Sequence, residues 1–104
     1  MLGPLERTVL SVMDEIEEGT VREVYSKLRG NKDIAYTTVS TTLERLFEKD
    51  YLTRTEKTGR GGTRYVYKVK NVQSKMAKMF VDEFLGMFGK KGVSALHKEL
   101  DKYQ

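Results

Sequence analysis

Residues 35–52 read AYTTVSTTLERLFEKDYL, and the fold turns on how that stretch is used. Val39, Leu43, Leu46 and Phe47 keep the three- and four-residue spacing of a helix face turned to a core. The first half of the stretch nevertheless carries Thr37, Thr38, Ser40, Thr41 and Thr42. Short hydroxyl side chains compete for backbone hydrogen bonds, and threonine is stiff at χ1, so they are mediocre helix formers. A helical wheel resolves the conflict: at about 100° per residue, Thr37 and Thr41 point nearly opposite the apolar face. Thr38 and Arg45 fall on one outer shoulder and Ser40 on a flank. Small hydroxyls let a helix lie close to the floor of a major groove and bond phosphates or base edges there. The threonine methyl can touch thymine, and the helix N-terminus offers a positive dipole end and free N–H groups. Glu44 and Glu48 also point outward, further along, and would repel a phosphate backbone. Only the first half of this helix is therefore expected to enter a groove.

Upstream of that stretch, a first helix is predicted from Pro4, a residue suited to the first helical position, with Leu5, Val9, Val12, Met13 and Ile16 as its apolar stripe and Gly19 as its end. Thr20 with Glu23 reads as a capping box for a second helix that turns Val21, Val24, Tyr25 and Leu28 inward. The polar run RGNKD (29–33) closes that helix, and the third runs from about Tyr36 to Lys49. After Asp50 the period changes. YLTRTEK and TRYVYKVK are rich in Tyr, Val and Thr, and in the second Tyr65, Tyr67 and Val69 alternate with Arg64, Val66 and Lys68, as in a half-buried strand. The glycines of TGRGG between them suit a turn. Helix, helix, helix, strand, turn, strand is the order of a winged helix-turn-helix.

Beyond the wing the sequence is helical again. Ser74 is the predicted cap, and Val72, Met76, Met79, Phe80, Phe84 and Met87 form one stripe that Val81, Leu85 and Phe88 widen; Glu83 falls inside it. GKKG (89–92) breaks the helix, after which Val93, Leu96, Leu100 and Tyr103 repeat at helical spacing. An arm this apolar either caps its own domain or exposes a large patch that a second copy covers, and pairing with a second copy is the expectation. The expected organisation is thus a winged-helix domain over residues 1–70 and a helical dimerisation region over 71–104, mainly α with a small β-hairpin wing. The candidate dimer residues are Met76, Met79, Phe80, Phe84, Met87, Phe88, Val93, Leu96 and Leu100.

The chain's 104 residues and 38% apolar content leave room for one small core, which association with a second copy would help. Net charge is +4, but its distribution says more. Residues 1–33 hold five Lys/Arg against seven Asp/Glu, residues 34–70 eight against four, and residues 71–104 six against four. The basic excess sits with the hydroxyl-bearing helix, where a polyanion would meet it. There is no cysteine, hence no disulfide or thiolate chemistry, and neither a signal peptide nor a membrane span is expected. A soluble cytoplasmic location is the expectation.

The recognition stretch, together with LGPLERTVLSVMDE, GTVREVYSKL and RYVYKV, resembles the penicillinase-repressor family, which includes the β-lactamase and methicillin-resistance repressors and copper-responsive relatives. The resemblance covers residues 2–70 well and the arm loosely. It implies a homodimeric repressor with an N-terminal winged helix and a C-terminal helical dimerisation region, binding a palindromic operator. It further implies DNA contact by Thr37, Thr38, Ser40 and Thr41, and wing contact near Arg60 and Arg64. With Tyr36 and Arg45 these residues make the candidate double-stranded DNA interface. The copper-responsive members carry paired C-terminal cysteines that this chain lacks, so copper sensing is not expected. No clear counterpart of the Asn-Phe segment cut on induction in the antibiotic-responsive members is found here, and the inducing signal or effector is not implied.

An enzyme is a poor alternative. His97 has no cysteine or patterned carboxylate near it, Asp14, Glu15, Glu17 and Glu18 form a helix end rather than a spaced metal loop, and GRGGTR lacks the Gly-Lys-Ser/Thr ending of a phosphate loop. No cofactor or metal is expected. The remaining alternative, a winged helix used for protein contact or within a transcription complex, often lacks both the basic wing and the small-residue helix found here.

Overall fold

The molecule is described by a computed structural model that covers residues 2–30 and 33–104. Proline in the first turn starts α1 (Pro4–Ile16), and Glu6 Oε1 accepts the Gly3 N–H at 3.0 Å to close its N-terminus. The helix stops earlier than Gly19. Glu17 takes φ 69°, and Glu18–Gly19 form a two-residue strand, β1. Such a strand is too short to leave a periodic signal, so the sequence reading runs straight through it.

Thr20 then caps α2 (Val21–Leu28) as its spacing predicts. Its hydroxyl accepts the Glu23 N–H at 3.2 Å, and the Glu23 carboxylate accepts the Thr20 N–H at 3.1 Å. Of the RGNKD run, Asn31 and Lys32 lie outside the described residues. Helix α3 spans Tyr36–Glu48. Strands β2 (Leu52–Gly59) and β3 (Gly62–Val69) form an antiparallel hairpin in register from Leu52 opposite Val69 to Gly59 opposite Gly62, leaving Arg60 and Gly61 at the tip. The turn is therefore shorter than the whole TGRGG run. Gly62 enters β3 at φ 98°, where a side chain would be strained. β1 pairs with β3 through Glu18–Lys68 and Gly19–Tyr67, so the sheet order is β1-β3-β2.

The core of this unit joins Val9 and Met13 of α1, Val24 of α2, Val39, Leu43 and Leu46 of α3, and Leu52 of β2, all fully buried. Strand β3 departs from simple alternation. Tyr67 is buried and Val69 half-buried, but Tyr65 on the same face is 41% exposed, while Val66 on the other face is buried. The helices cover only the base of the hairpin, and Val66 is sheltered on the opposite side in a hollow shared with Gly19 and Thr20. A long-range pair ties the first turn of α1 to the end of α3: Lys49 Nζ lies 3.0 Å from Glu6 Oε1 and 2.8 Å from Oε2.

The chain divides into two compact units, Met1–Lys70 and Asn71–Gln104. The second contains α4 (Gln73–Phe88) and α5 (Lys90–Asp101). Val72, not Ser74, holds the N-cap position of α4; the Met76 N–H already bonds the Val72 carbonyl at 2.9 Å, which places Ser74 within the first turn. Only Gly89 separates the helices, so most of GKKG belongs to α5. Gly92 is buried where the helices meet, and a Cβ there would come within 2.8 Å of the Phe84 ring and 3.1 Å of Leu85 Cδ2.

The Lys49 hydrogen bond, helped by the Gly3 N–H, holds the Glu6 carboxyl below its ordinary pKa near 4.5. A depressed folded-state pKa gives stability that is present above the unfolded value and lost as pH falls through the folded one. Lys49→Ala should accordingly show its full stability deficit at pH 7, shrinking once pH drops below about 4.5. Urea unfolding across that range measures it. A deficit independent of pH would contradict the role given to this pair.

Candidate nucleic-acid interface

Helix α3 solves its hydroxyl problem internally. The Thr41 hydroxyl donates to the Thr37 carbonyl at 2.9 Å and the Thr42 hydroxyl to that of Thr38 at 2.7 Å, so neither competes for a non-helical backbone partner. Thr42 is buried, whereas Thr37, Thr38 and Thr41 are exposed and Ser40 half-buried. Thr37, Thr38, Thr41, Thr42 and Arg45, with Leu5 of α1, line an open groove of about 300 Å³ along the outer side of α3. Tyr36, at the first turn, is 41% exposed; its ring meets Tyr25 of α2 edge-on at 5.5 Å, and the Arg22 guanidinium lies 5.8 Å from its centroid. Free N–H groups at the start of α3, small hydroxyls on its outer face and a guanidinium further along make a surface suited to anion and base-edge contact.

The hairpin carries the second part. Arg60 sits at its exposed tip. Arg64 stands directly opposite Lys57 on the paired strand, both exposed. Like charges facing across an antiparallel pair are unfavourable, so this placement costs the free protein stability that an anionic ligand would return. Glu18 and Glu23 line the hollow beside Lys57 and Arg64 and offset part of that repulsion.

Three residues outside the sequence-based set belong to this neighbourhood: Arg22, Lys57 and Arg54. Arg22 lies in the first turn of a capped helix, which the sequence does reveal. Lys57 becomes notable only once the strand register is known. Arg54, on β2, lies against two aromatic rings, with its guanidinium carbon 4.1 Å from the Phe47 centroid and 4.0 Å from that of Tyr65.

In the second unit the candidate dimer residues divide by exposure. Met79, Phe80, Met87, Phe88, Val93 and Leu100 are exposed, Met87 by 66% and Phe88 by 57%, while Met76, Phe84 and Leu96 are half-buried. Phe84 and Phe88 pack with ring centroids 5.1 Å apart. Among the described residues no helix is long and apolar enough to cross a membrane, and no cluster of His, Cys, Asp or Glu could hold a metal.

The profile of the penicillinase repressor family matches residues 2–102. The transcriptional regulator BlaI of Mycobacterium tuberculosis is 46% identical over 50 residues, an alignment that covers 47% of this chain and 36% of that protein. The match thus spans about a third of the curated relative. Among solved structures, a possible transcriptional regulator from Methanosarcina mazei Go1 superposes with a TM-score of 0.63 at 17% identity, over 99% of this chain and 80% of that one. A PadR family transcription regulator from Clostridium difficile R20291 gives 0.58 at 16%, covering 83% and 98%. A MarR family protein from Bacillus stearothermophilus gives 0.54 at 15%, covering 98% and 72%. These likenesses are of fold.

Replacing Lys57 by Thr should stabilise the free protein by about 0.2–1 kcal/mol at low ionic strength, because it removes a like-charge cross-strand pair. The gain should fade in high salt as the repulsion is screened. Thermal unfolding at two salt concentrations measures both, and no gain at low salt would show that Lys57 and Arg64 do not oppose each other.

Proposed function

The chain belongs to the penicillinase repressor family of DNA-binding winged-helix regulators, and from that premise we propose that it is a homodimeric repressor that reads a palindromic operator through the major groove. One observation carries the reading. The face of α3 turned from the core is built of Thr37, Thr38, Thr41 and Arg45, and the hairpin beside it presents Arg60, Arg64 and Lys57. In this reading Tyr36, Thr37, Thr38, Ser40, Thr41 and Arg45 meet the groove. Arg60 and Arg64 take phosphates alongside, fixing register without reading sequence. The Thr41 hydroxyl already donates its hydrogen to the helix, so toward DNA it offers an acceptor and a methyl group. Those suit a base amino group or thymine better than a phosphate oxygen.

A single recognition helix reads only a few base pairs. Two of them on a two-fold axis read half-sites whose centres lie about 34–36 Å apart, one turn of DNA, or a multiple of it. The exposed Met79, Phe80, Met87, Phe88, Val93 and Leu100 supply apolar surface for that pairing. Repression follows if the operator overlaps a promoter, and the protein's location is then the cytoplasm.

DNA recovered from the source genome by the purified protein supplies the operator for a direct test. Sedimentation at micromolar concentration should give a dimer. Phe80→Asp and Met87→Asp replace side chains exposed in the single chain, so each protomer should fold, but a dimer would bury an unpaired charge. Both variants should be monomeric and should lose operator affinity sharply while weak non-specific binding persists. A cleanly monomeric wild-type protein that still binds a palindrome tightly would refute the proposal.

A further inference from the structure

Arg54 is a cation near α3 that is engaged by aromatic rings of its own protein. It sits on β2 opposite Tyr67, on the strand face that also carries Tyr65. The guanidinium carbon lies 4.1 Å from the ring centroid of Phe47 in the last turn of α3 and 4.0 Å from that of Tyr65 on β3. A planar guanidinium stacks on aromatic faces as an ammonium cannot. Tyr67, directly opposite on β3, and Glu44 of α3 favour the charged form and hold the Arg54 pKa above the ordinary arginine value. Two aromatic rings thus lie within cation–π distance of the guanidinium. Tyr65 is 41% exposed and Phe47 half-buried, so the stack is not required to fill the core. It bridges helix and wing outside that core.

We propose that Arg54 is a positioning residue: with Phe47 and Tyr65 it fixes the wing's angle to α3, so that the outer face of the helix and the cations of the hairpin meet one operator half-site together. This rests on the DNA-binding reading above. Apart from this stack, the buried attachment of the wing to the remainder of its unit is at its base, where Leu52, Val66 and Tyr67 are buried. A hairpin held there alone can swing. Its cations would still find phosphates, but out of step with the bases that α3 meets. Loss of the stack should therefore reduce discrimination between operator and random DNA more than it reduces binding to DNA as such.

The test uses the full chain and four substitutions, with binding to operator and to random duplex measured over a salt series. Arg54→Lys keeps the charge and loses the planar faces. It should weaken operator binding by roughly tenfold, the scale of one cation–π contact, with random-duplex binding and the salt slope unchanged. Tyr65→Ala should reproduce that loss, and Tyr65→Phe, which keeps the ring, should retain wild-type discrimination. Amides of the hairpin should exchange faster in Arg54→Lys and Tyr65→Ala than in wild type or Tyr65→Phe. Arg60→Ala is the contrast: loss of a phosphate contact weakens binding to both duplexes and lowers the slope by about 0.9. If Arg54→Lys leaves operator discrimination unchanged, or if it weakens both duplexes and changes the salt slope, the inference is overturned. Wild-type protein that binds neither duplex would instead overturn the DNA-binding reading beneath it.

Discussion

Burial of Val39, Leu43 and Leu46 against α1, α2 and β2 governs everything the interface can present. Those three side chains fix the rotation of α3 about its axis, and rotation decides what is left outside. A shift of one residue, about 100° of turn, would set Ser40 where Val39 packs and Glu44 where Leu43 packs. With the observed rotation, Thr37, Thr38, Thr41 and Arg45 share the outer groove. Fully burying one leucine is worth about 1.5–3 kcal/mol, more than the ~0.7 kcal/mol or less that separates threonine from good helix formers at a position. The packing side of the helix therefore offsets the weakness of its hydroxyl side, and the i−4 bonds of Thr41 and Thr42 reduce that weakness further.

The wing reflects a different balance. Its base is part of the core, while its outer half is exposed and places Lys57 against Arg64. The facing of these two like charges costs the free protein stability, which Glu18 and Glu23 offset only in part. An anionic partner would compensate it, and the chain's basic excess lies in the same segment. Arg54 has the opposite character, a cation engaged by its own protein. Charge in this hairpin is thus divided between groups turned to solvent and a group held in place.

Local signals in the sequence lead to most of the fold. The Thr20–Glu23 capping box, the apolar face of α3 and the two Thr-, Val- and Tyr-bearing segments after Asp50 each give the element they predict. The features that escape such a reading do so for identifiable reasons. β1 spans two residues, too few for any period, and it exists because β3 has an open edge beside it. Ser74 has the residue type of a cap, but the N-cap of α4 lies two residues before it, at Val72. Alternation in β3 predicts a buried Tyr65; the helices reach only as far as Tyr67. The contacts of Arg54 join residues 47, 54 and 65, and no local pattern announces a stack assembled from three elements. Lys57 facing Arg64 needs the register. The exposed apolar side chains of α4 and α5 follow the stripes read from the sequence, because a helix face is set by spacing alone.

If α3 reads base edges from the major groove at two symmetric half-sites, methylation interference on the recovered operator will show it, since dimethyl sulfate marks guanine N7 in the major groove and adenine N3 in the minor groove. Interference is expected at guanine N7 in two patches related by a two-fold axis, with centres about one helical turn or a multiple of it apart. Interference confined to adenine N3, or to a single patch, would contradict this reading of the helix.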